Sequence, residues 1–154
     1  MGKVEKHPYI LVSACLAGCA CRYDGTACTD RIVKHLVETG LALAVCPEEL
    51  GGLSTPRLPS EISDQRVINQ AGQDVTAEFE RGARKVLQLA RTLGITVAIL
   101  KERSPSCGSN CVYDGSFSGK LIPGQGLTAA LLRADNIKIY NQDNFPLELI
   151  DTEI

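Results

Sequence analysis

The chain has 154 residues, the length of a single domain, and can bury a hydrophobic core without disulfide bonds. Charged residues form 22% of the chain and the formal net charge is −2. This balance argues against a broad, nonspecific nucleic-acid surface but not against a small nucleobase ligand. No apolar run approaches the roughly 20 residues that a membrane-spanning helix needs.

The first half of the chain alternates strand-like and helix-like segments. A continuous apolar run at Tyr9–Ala14 predicts a strand that is covered on both faces. The segment Thr29–Gly40 has apolar residues at helical spacing, with Thr29 or Asp30 as its cap, and predicts a helix. A second apolar run, Leu41–Cys46, predicts another buried strand.

The second half continues the alternation. The segment Arg66–Thr76 predicts a small hairpin that turns at Ala71–Gly72. The segment Thr76–Gly94 has apolar residues on one face and predicts a long helix that ends at Gly94. The last elements are predicted as strand, helix and strand, at Thr96–Lys101, Leu127–Asp135 and Ile137–Tyr140.

Strands that alternate with helices predict an α/β fold with right-handed crossovers and a mostly parallel sheet flanked by helices. No internal repeat, linker or low-complexity tract interrupts the pattern. We therefore predict one domain over residues 8–150, with the first seven residues and the last few as loose ends.

The chain has seven cysteines, an odd number that cannot pair completely within one molecule. The sequence LAGC at Leu16–Cys19 resembles a lipoprotein processing site. However, the apolar segment Tyr9–Ala17 is short, Pro8 breaks its start, and Ser13 and Cys15 dilute it. We therefore expect a cytoplasmic protein with reduced thiols.

Three of the cysteines follow predicted strands. Cys15, Cys46 and Cys107 lie at or beyond the carboxyl ends of the first three strands, in loops rich in Gly, Pro and Ser. Because ligands of open α/β sheets bind outside the carboxyl ends of the strands, these thiols are expected to meet at one edge. For Cys28 and Cys111 we favour a role as small buried apolar residues.

The chemistry of this edge has two interpretations from the residues alone. The pairs Cys15–Cys19 and Cys107–Cys111 each enclose three residues, so each pair could supply half of a four-cysteine zinc site. Alternatively, thiolates that converge from separate strands could hold an iron–sulfur cluster.

Four motifs then identify a family. They are SACLAGCACRYDG, CPEELGGLSTPR, LKERSPSCGS and YDGSFSGKLIPGQGLTAALLR, and together they span Ser13 to Arg133. In content, order and spacing this set resembles the thiouracil desulfidase family. The resemblance implies a Rossmann-like domain that holds an oxygen-sensitive 4Fe–4S cluster.

Residue by residue, the resemblance implies that Cys15, Cys46 and Cys107 are the cluster ligands and that Glu48 and Ser106 act in catalysis. Cys21, in CRYDG, also matches a position of the family, without an assigned role. The cysteines outside the recognised pattern are Cys19, Cys28 and Cys111.

The implied activity is removal of sulfur from a small thiolated nucleobase or nucleoside, giving the oxo base and sulfide without net redox change. Three protein ligands on a four-iron cube leave one iron open, and an open iron is a thiophilic Lewis acid. A non-catalytic zinc- or thiol-redox-binding domain is the alternative. A subunit that recognises modified RNA is disfavoured, because the chain has no basic, aromatic-interleaved patch.

Overall fold

The structure, a computed structural model, describes residues 9–146, so the predicted domain boundaries at residues 8 and 150 lie outside the described part. The elements in chain order are β1 (Ile10–Ser13), a 3-10 turn (Ala14–Ala17), α1 (Arg31–Glu38), β2 (Ala42–Val45), α2 (Pro47–Leu50), β3 (Ser60–Ser63), β4 (Arg66–Asn69), α3 (Thr76–Leu93), β5 (Val97–Leu100), β6 (Cys111–Tyr113), β7 (Leu121–Pro123), α4 (Leu127–Ala134) and β8 (Lys138–Asn141).

Four parallel strands form the central sheet, in the order β2-β1-β5-β8. Leu11 of β1 lies opposite Leu43 of β2 on one side and Ala98 of β5 on the other. All four strands lie where the apolar runs predict them, and each end differs by one residue. The predicted α/β class with a mostly parallel sheet is therefore confirmed.

Both faces of the sheet are covered, which is why the strand sequences are apolar without alternation. On one face Leu11 and Leu100 pack in a core with Val86 of α3 and Leu132 of α4. On the other face the buried residues of the sheet and of α1 include Val12, Ile99, Val33 and Leu36. No helix of residues 9–146 is long and apolar enough to cross a bilayer.

The ends of the helices follow from local sequence. Asp30 caps α1, since its Oδ1 accepts hydrogen bonds from the backbone N–H groups of Ile32 at 3.0 Å and Val33 at 3.1 Å. Gly94 ends α3 in the left-handed region, with φ of +68°. Of the two predicted N-caps of α1, Thr29 and Asp30, Asp30 is thus the capping residue.

A pair of glycines brings α2 against α3. A Cβ atom at Gly51 would overlap the carbonyl oxygen of Glu78 in α3, and a Cβ at Gly82 would overlap the carbonyl oxygen of Pro47 in α2. The two helices can therefore approach this closely only because both positions lack a side chain. This contact fixes the short helix that begins directly after Cys46.

The predicted hairpin over Arg66–Thr76 was only partly right. Strand β4 pairs antiparallel with β3, which precedes it, and that hairpin turns at Asp64–Gln65. The chain does reverse near Gly72, but the returning segment makes only an isolated bridge between Ile68 and Asp74. A second hairpin, β6–β7, was not predicted, because its strands have three residues each and weak alternation.

Candidate active site

A cavity of about 460 Å³ lies at the carboxyl ends of β1, β2 and β5. The chain runs from β1 outward to β2 and later returns to β5 on the other side of β1, so this edge is a topological switch point of the sheet. Four thiols line the cavity, those of Cys15, Cys21, Cys46 and Cys107. Cys19, Cys28 and Cys111 do not line it.

Cys15 lies on the 3-10 turn that follows β1 and is 9% exposed. Burial raises the pKa of its thiol to about 11, although the positive charges of Lys101 and Arg22 oppose the shift. The charges of Cys28 and Cys46 act on the same thiol and raise its pKa further. The thiol is therefore neutral by itself, within reach of cations that favour the thiolate.

Cys46 directly follows β2 and is the N-cap of α2, where Pro47 is the first helical residue. A hydrogen bond with the Cys21 thiol lowers the pKa of Cys46 to about 7, against the effect of burial. The backbone N–H of Glu49 and the charge of Arg57 lower it as well. The same contact raises the pKa of Cys21, so the thiolate is favoured on Cys46 over Cys21. The Cys46 sulfur also lies 3.8 Å from the carbonyl oxygen of Cys21.

Cys107 lies in the loop after β5 and is 5% exposed. Burial raises the pKa of its thiol to about 12, a hydrogen bond with Ser13 lowers it, and the charges of Cys15, Glu48 and Cys46 raise it. Ser13 also accepts a hydrogen bond from the backbone N–H of Lys101 at 2.8 Å. One buried hydroxyl thus ties the end of β1 to the end of β5 beside this thiol.

Glu48 lines the cavity from the first turn of α2. Its Oε1 accepts a hydrogen bond from Nε of Arg57 at 2.9 Å, and the two side chains are 17% and 8% exposed. Arg57 also donates from Nη2 to the carbonyl oxygen of Cys21 at 2.9 Å. The arginine therefore joins the carboxylate to the loop that carries Cys21.

Of the two serines that flank Pro105, only Ser104 lines the cavity. The Oγ of Ser104 accepts hydrogen bonds from the backbone N–H groups of Ser106 and Cys107, each at 3.1 Å. Ser106 is 1% exposed, and its hydroxyl is 2.7 Å from that of Thr128 in α4. The predicted catalytic Ser106 therefore faces the packing of α4 instead of the cavity.

Glu102 is a cavity residue that the sequence analysis missed, although it belongs to the quoted motif LKERSPSCGS. It is 7% exposed, and its Oε1 accepts hydrogen bonds from the backbone N–H groups of Ser109, Asn110 and Cys111 at 2.8, 3.0 and 3.3 Å. Burial raises its pKa, but these bonds outweigh burial and the pKa falls to about 2. This carboxylate holds the loop around Cys107.

The donors fit an iron–sulfur cluster better than a single metal ion. All seven cysteines are free thiols. Across residues 9–146 no group of three or more His, Cys, Asp or Glu side chains is arranged to hold a metal ion. A zinc site would need its ligands around one atom, whereas a four-iron cluster binds each thiolate through a different iron and accepts wider spacing. Thiolates from three strand ends match that donor set.

The fold and this site define a Rossmann-like α/β domain with a thiol-lined cavity at its switch point. A family model described as 2-thiouracil desulfurase matches residues 10–144, so the chain belongs to that family.

Two relatives extend the comparison. The chain is 42% identical over 144 residues to the uncharacterized protein YbbK of Bacillus subtilis strain 168, covering 87% of this chain and 95% of that protein. It is also similar to a solved structure titled [4Fe-4S]-dependent thiouracil desulfidase TudS. The TM-score is 0.88 at 45% identity, with 96% of this chain and 99% of that chain covered.

Proposed function

We propose that the chain is a [4Fe-4S]-dependent desulfidase that acts on thiouracil or a closely related small thiopyrimidine. The observation that carries the proposal is the convergence of Cys15, Cys46 and Cys107 on one cavity. Membership of the 2-thiouracil desulfurase family and the similarity to TudS support it. The cavity volume lies within the range of about 300–1,000 Å³ that is typical of small-ligand sites.

The three thiolates of Cys15, Cys46 and Cys107 hold the cluster in this proposal. When bound, the cluster would supply a thiophilic Lewis acid for the sulfur of the thiocarbonyl. Lys101 and Arg22 supply positive charge near Cys15, which offsets the cost of burying thiolates. Cys21 is not a ligand in this assignment; its contact with Cys46 lowers the pKa of the Cys46 thiol and so favours the thiolate that binds the cluster.

The reaction that we propose is hydrolytic and balances without electrons: a thiocarbonyl and one water give a carbonyl and hydrogen sulfide. Glu48 accepts a proton from the water that attacks the carbon. Its Oε1 is held by Arg57, and Oε2 makes no hydrogen bond to any residue of the described part, so that oxygen can receive the proton. Arg57 keeps the carboxylate in position throughout.

We assign the serine role to Ser104 and not to Ser106. Of these two serines only Ser104 lines the cavity, where its hydroxyl can donate a hydrogen bond to the water or the heterocycle. Ser106 supports the site indirectly, because its contact with Thr128 ties the Cys107 loop to α4. A cytoplasmic location remains a prediction, since free thiols and an oxygen-sensitive cluster both favour a reducing compartment.

The decisive experiment is anaerobic reconstitution with iron and sulfide, followed by incubation with 2-thiouracil. We expect absorbance near 400 nm, roughly four irons per chain, and equal amounts of uracil and sulfide without added reductant.

The matched control is the reconstituted Cys28→Ala variant, which lacks a thiol that is outside the cavity and should behave like wild type. A fully loaded protein that leaves 2-thiouracil unchanged would contradict the proposed activity. Turnover that requires a stoichiometric electron donor would contradict its non-redox character.

A further inference from the structure

We propose that Phe117 and Arg103 form a recognition clamp for the pyrimidine ring, in which Phe117 stacks on the ring face and Arg103 donates a hydrogen bond to the remaining carbonyl oxygen. The clamp rests on the proposed function, because it names how the same cavity selects its substrate. Both residues line the cavity. Neither is a proposed ligand of the cluster or an acid–base group.

The first observation is backbone strain at these two positions. Phe117 has φ of +57° and Arg103 has φ of +76°, a region that large L-residues rarely adopt. The other non-glycine residues with positive φ among residues 9–146 occur in turns outside the cavity and are Asp64, Gln65 and Asn136. The aromatic residue and the arginine with positive φ thus both lie at the cavity wall, and strained residues of this kind are typical of ligand clamps.

The second observation is that a buried carboxylate maintains each strained residue. Oε1 of Glu61 accepts hydrogen bonds from the backbone N–H groups of Phe117 at 3.1 Å and Gly115 at 3.0 Å. Oε1 of Glu102 accepts one from the backbone N–H of Arg103 at 3.3 Å. Glu61 and Glu102 are 9% and 7% exposed. Two separate carboxylates therefore hold the backbone of the two residues at the cavity.

The third observation is that the guanidinium of Arg103 has no hydrogen-bond or ion-pair partner among residues 9–146. Three arginines line the cavity. Arg57 is used by Glu48 and the Cys21 carbonyl, and Arg22 lies over the ring of Tyr23 and bonds Thr26. Arg103 makes no side-chain hydrogen bond or ion pair with any residue between 9 and 146. Its donors are available to a ligand.

The chemistry of the two groups selects the ligand. A phenyl ring favours a flat π system, and stacking of nucleobases on aromatic side chains is a common source of affinity. A guanidinium is a planar donor that pairs with a carbonyl oxygen on such a ring. Together they favour a planar thioamide that keeps a second carbonyl, as 2-thiouracil does, over an acyclic thioamide or a ring without that oxygen.

The stacking half is tested with Phe117→Leu in cluster-loaded protein. We expect KM for 2-thiouracil to rise by roughly 5- to 50-fold, within the range that loss of base stacking produces, with unchanged iron content. The dissociation constant for uracil should rise in parallel. The control is Leu121→Ala, an exposed apolar residue of β7 outside the cavity, which should change neither constant. An unchanged KM in Phe117→Leu overturns the stacking role.

The hydrogen-bonding half is tested with Arg103→Met and two ligands. We expect the dissociation constant of 2-thiouracil to rise by about tenfold, the loss of one charge-assisted hydrogen bond, while that of pyrimidine-2-thione, which lacks the second carbonyl, stays the same. Equal effects on both ligands, or none on either, overturn the role of Arg103.

Glu61 is a positioning residue in this proposal, and a pair of variants separates that role from simple stability. Glu61→Gln retains an oxygen that accepts from Phe117 and Gly115, so KM should stay near that of wild type. Glu61→Ala removes the anchor, so KM should rise as in Phe117→Leu, with kcat and iron content unchanged. If Glu61→Gln raises KM as much as Glu61→Ala, Glu61 does not act by positioning Phe117.

Failure of the clamp and failure of the proposed function give different results. If the wild-type protein binds 2-thiouracil through Phe117 and Arg103 but releases no sulfide, the clamp is supported and the proposed desulfidase activity is contradicted. If sulfide is released with the same KM in the wild type and in all clamp variants, the proposed activity is supported and the clamp is contradicted.

Discussion

Arg57 donates a hydrogen bond from Nε to Oε1 of Glu48 at 2.9 Å, and this ion pair is largely buried at the wall of the cavity. The same guanidinium reaches the carbonyl oxygen of Cys21 and the hydroxyl of Thr55. Three separate segments are therefore joined through one side chain, and Arg57 fixes the proposed general base at the wall of the cavity.

Loss of this arginine should destabilise the fold. Arg57→Ala leaves a partly buried carboxylate without its partner, and we expect the free energy of unfolding to fall by roughly 3 kcal/mol. Urea denaturation of the reduced, cluster-free protein measures it. Arg84→Ala is the control, because its exposed pair with Glu80 is 4.0 Å apart and should contribute about 0.5 kcal/mol or less. Equal losses in the two variants would contradict a structural role of the buried pair.

The cysteines divide into two groups. Cys15→Ala, Cys46→Ala and Cys107→Ala should each lose cluster and turnover together, since thiolate ligation holds the cluster. Cys28→Ala should keep both. Iron and inorganic sulfide content, determined beside thiouracil conversion in anaerobic protein, provides the measurement. The ligand assignment is wrong if Cys28 proves essential and Cys46 dispensable.

Glu48→Gln should separate cluster binding from acid–base chemistry. The amide keeps the size of the side chain but does not accept the proton, so kcat should fall by roughly 10²–10⁴. Iron content should be unchanged, because the proposed ligands are intact. A variant with a full cluster and the kcat of wild type would show that another group accepts the proton of the attacking water. A variant that loses its iron would instead make Glu48 a support of Cys46.

The two serines beside Pro105 should respond differently. Ser104→Ala should lower kcat, because it removes the hydroxyl that lines the cavity. Ser106→Ala should leave kcat nearly unchanged and lower the free energy of unfolding by about 1–3 kcal/mol, since Thr128 loses its buried partner. Turnover and urea midpoints are compared for both variants. A large loss of kcat in Ser106→Ala alone would restore the assignment made from the sequence.

Glu102 should make the fold acid-sensitive. Its pKa is lowered from an ordinary value of 4.5 to about 2, so the stabilisation is present above pH 4.5 and is lost as the pH falls toward 2. In wild type the free energy of unfolding should fall between pH 7 and pH 3. In Glu102→Gln we expect this fall to be smaller by roughly 1–3 kcal/mol. Urea midpoints at both pH values measure it. An identical pH dependence in wild type and variant would exclude this carboxylate as a source.

Local sequence was sufficient for the scaffold of the fold. Apolar runs marked the four parallel strands because both faces of the sheet are covered, and the periodicity of the helices located α1, α3 and α4. It was also sufficient to place Cys15, Cys46 and Cys107 at one edge, because the carboxyl ends of parallel strands share that edge. The family followed from motifs that surround those residues.

Only the tertiary structure decided which polar groups line the cavity. Ser104 and Ser106 are two residues apart in one loop, and their directions depend on the packing of α4 against that loop. The partners of Arg57, Glu61 and Glu102 lie in other segments or in loops without regular periodicity, so no local pattern identifies them. Strand periodicity reflects burial along one segment, whereas a hydrogen bond between segments depends on how the whole chain packs.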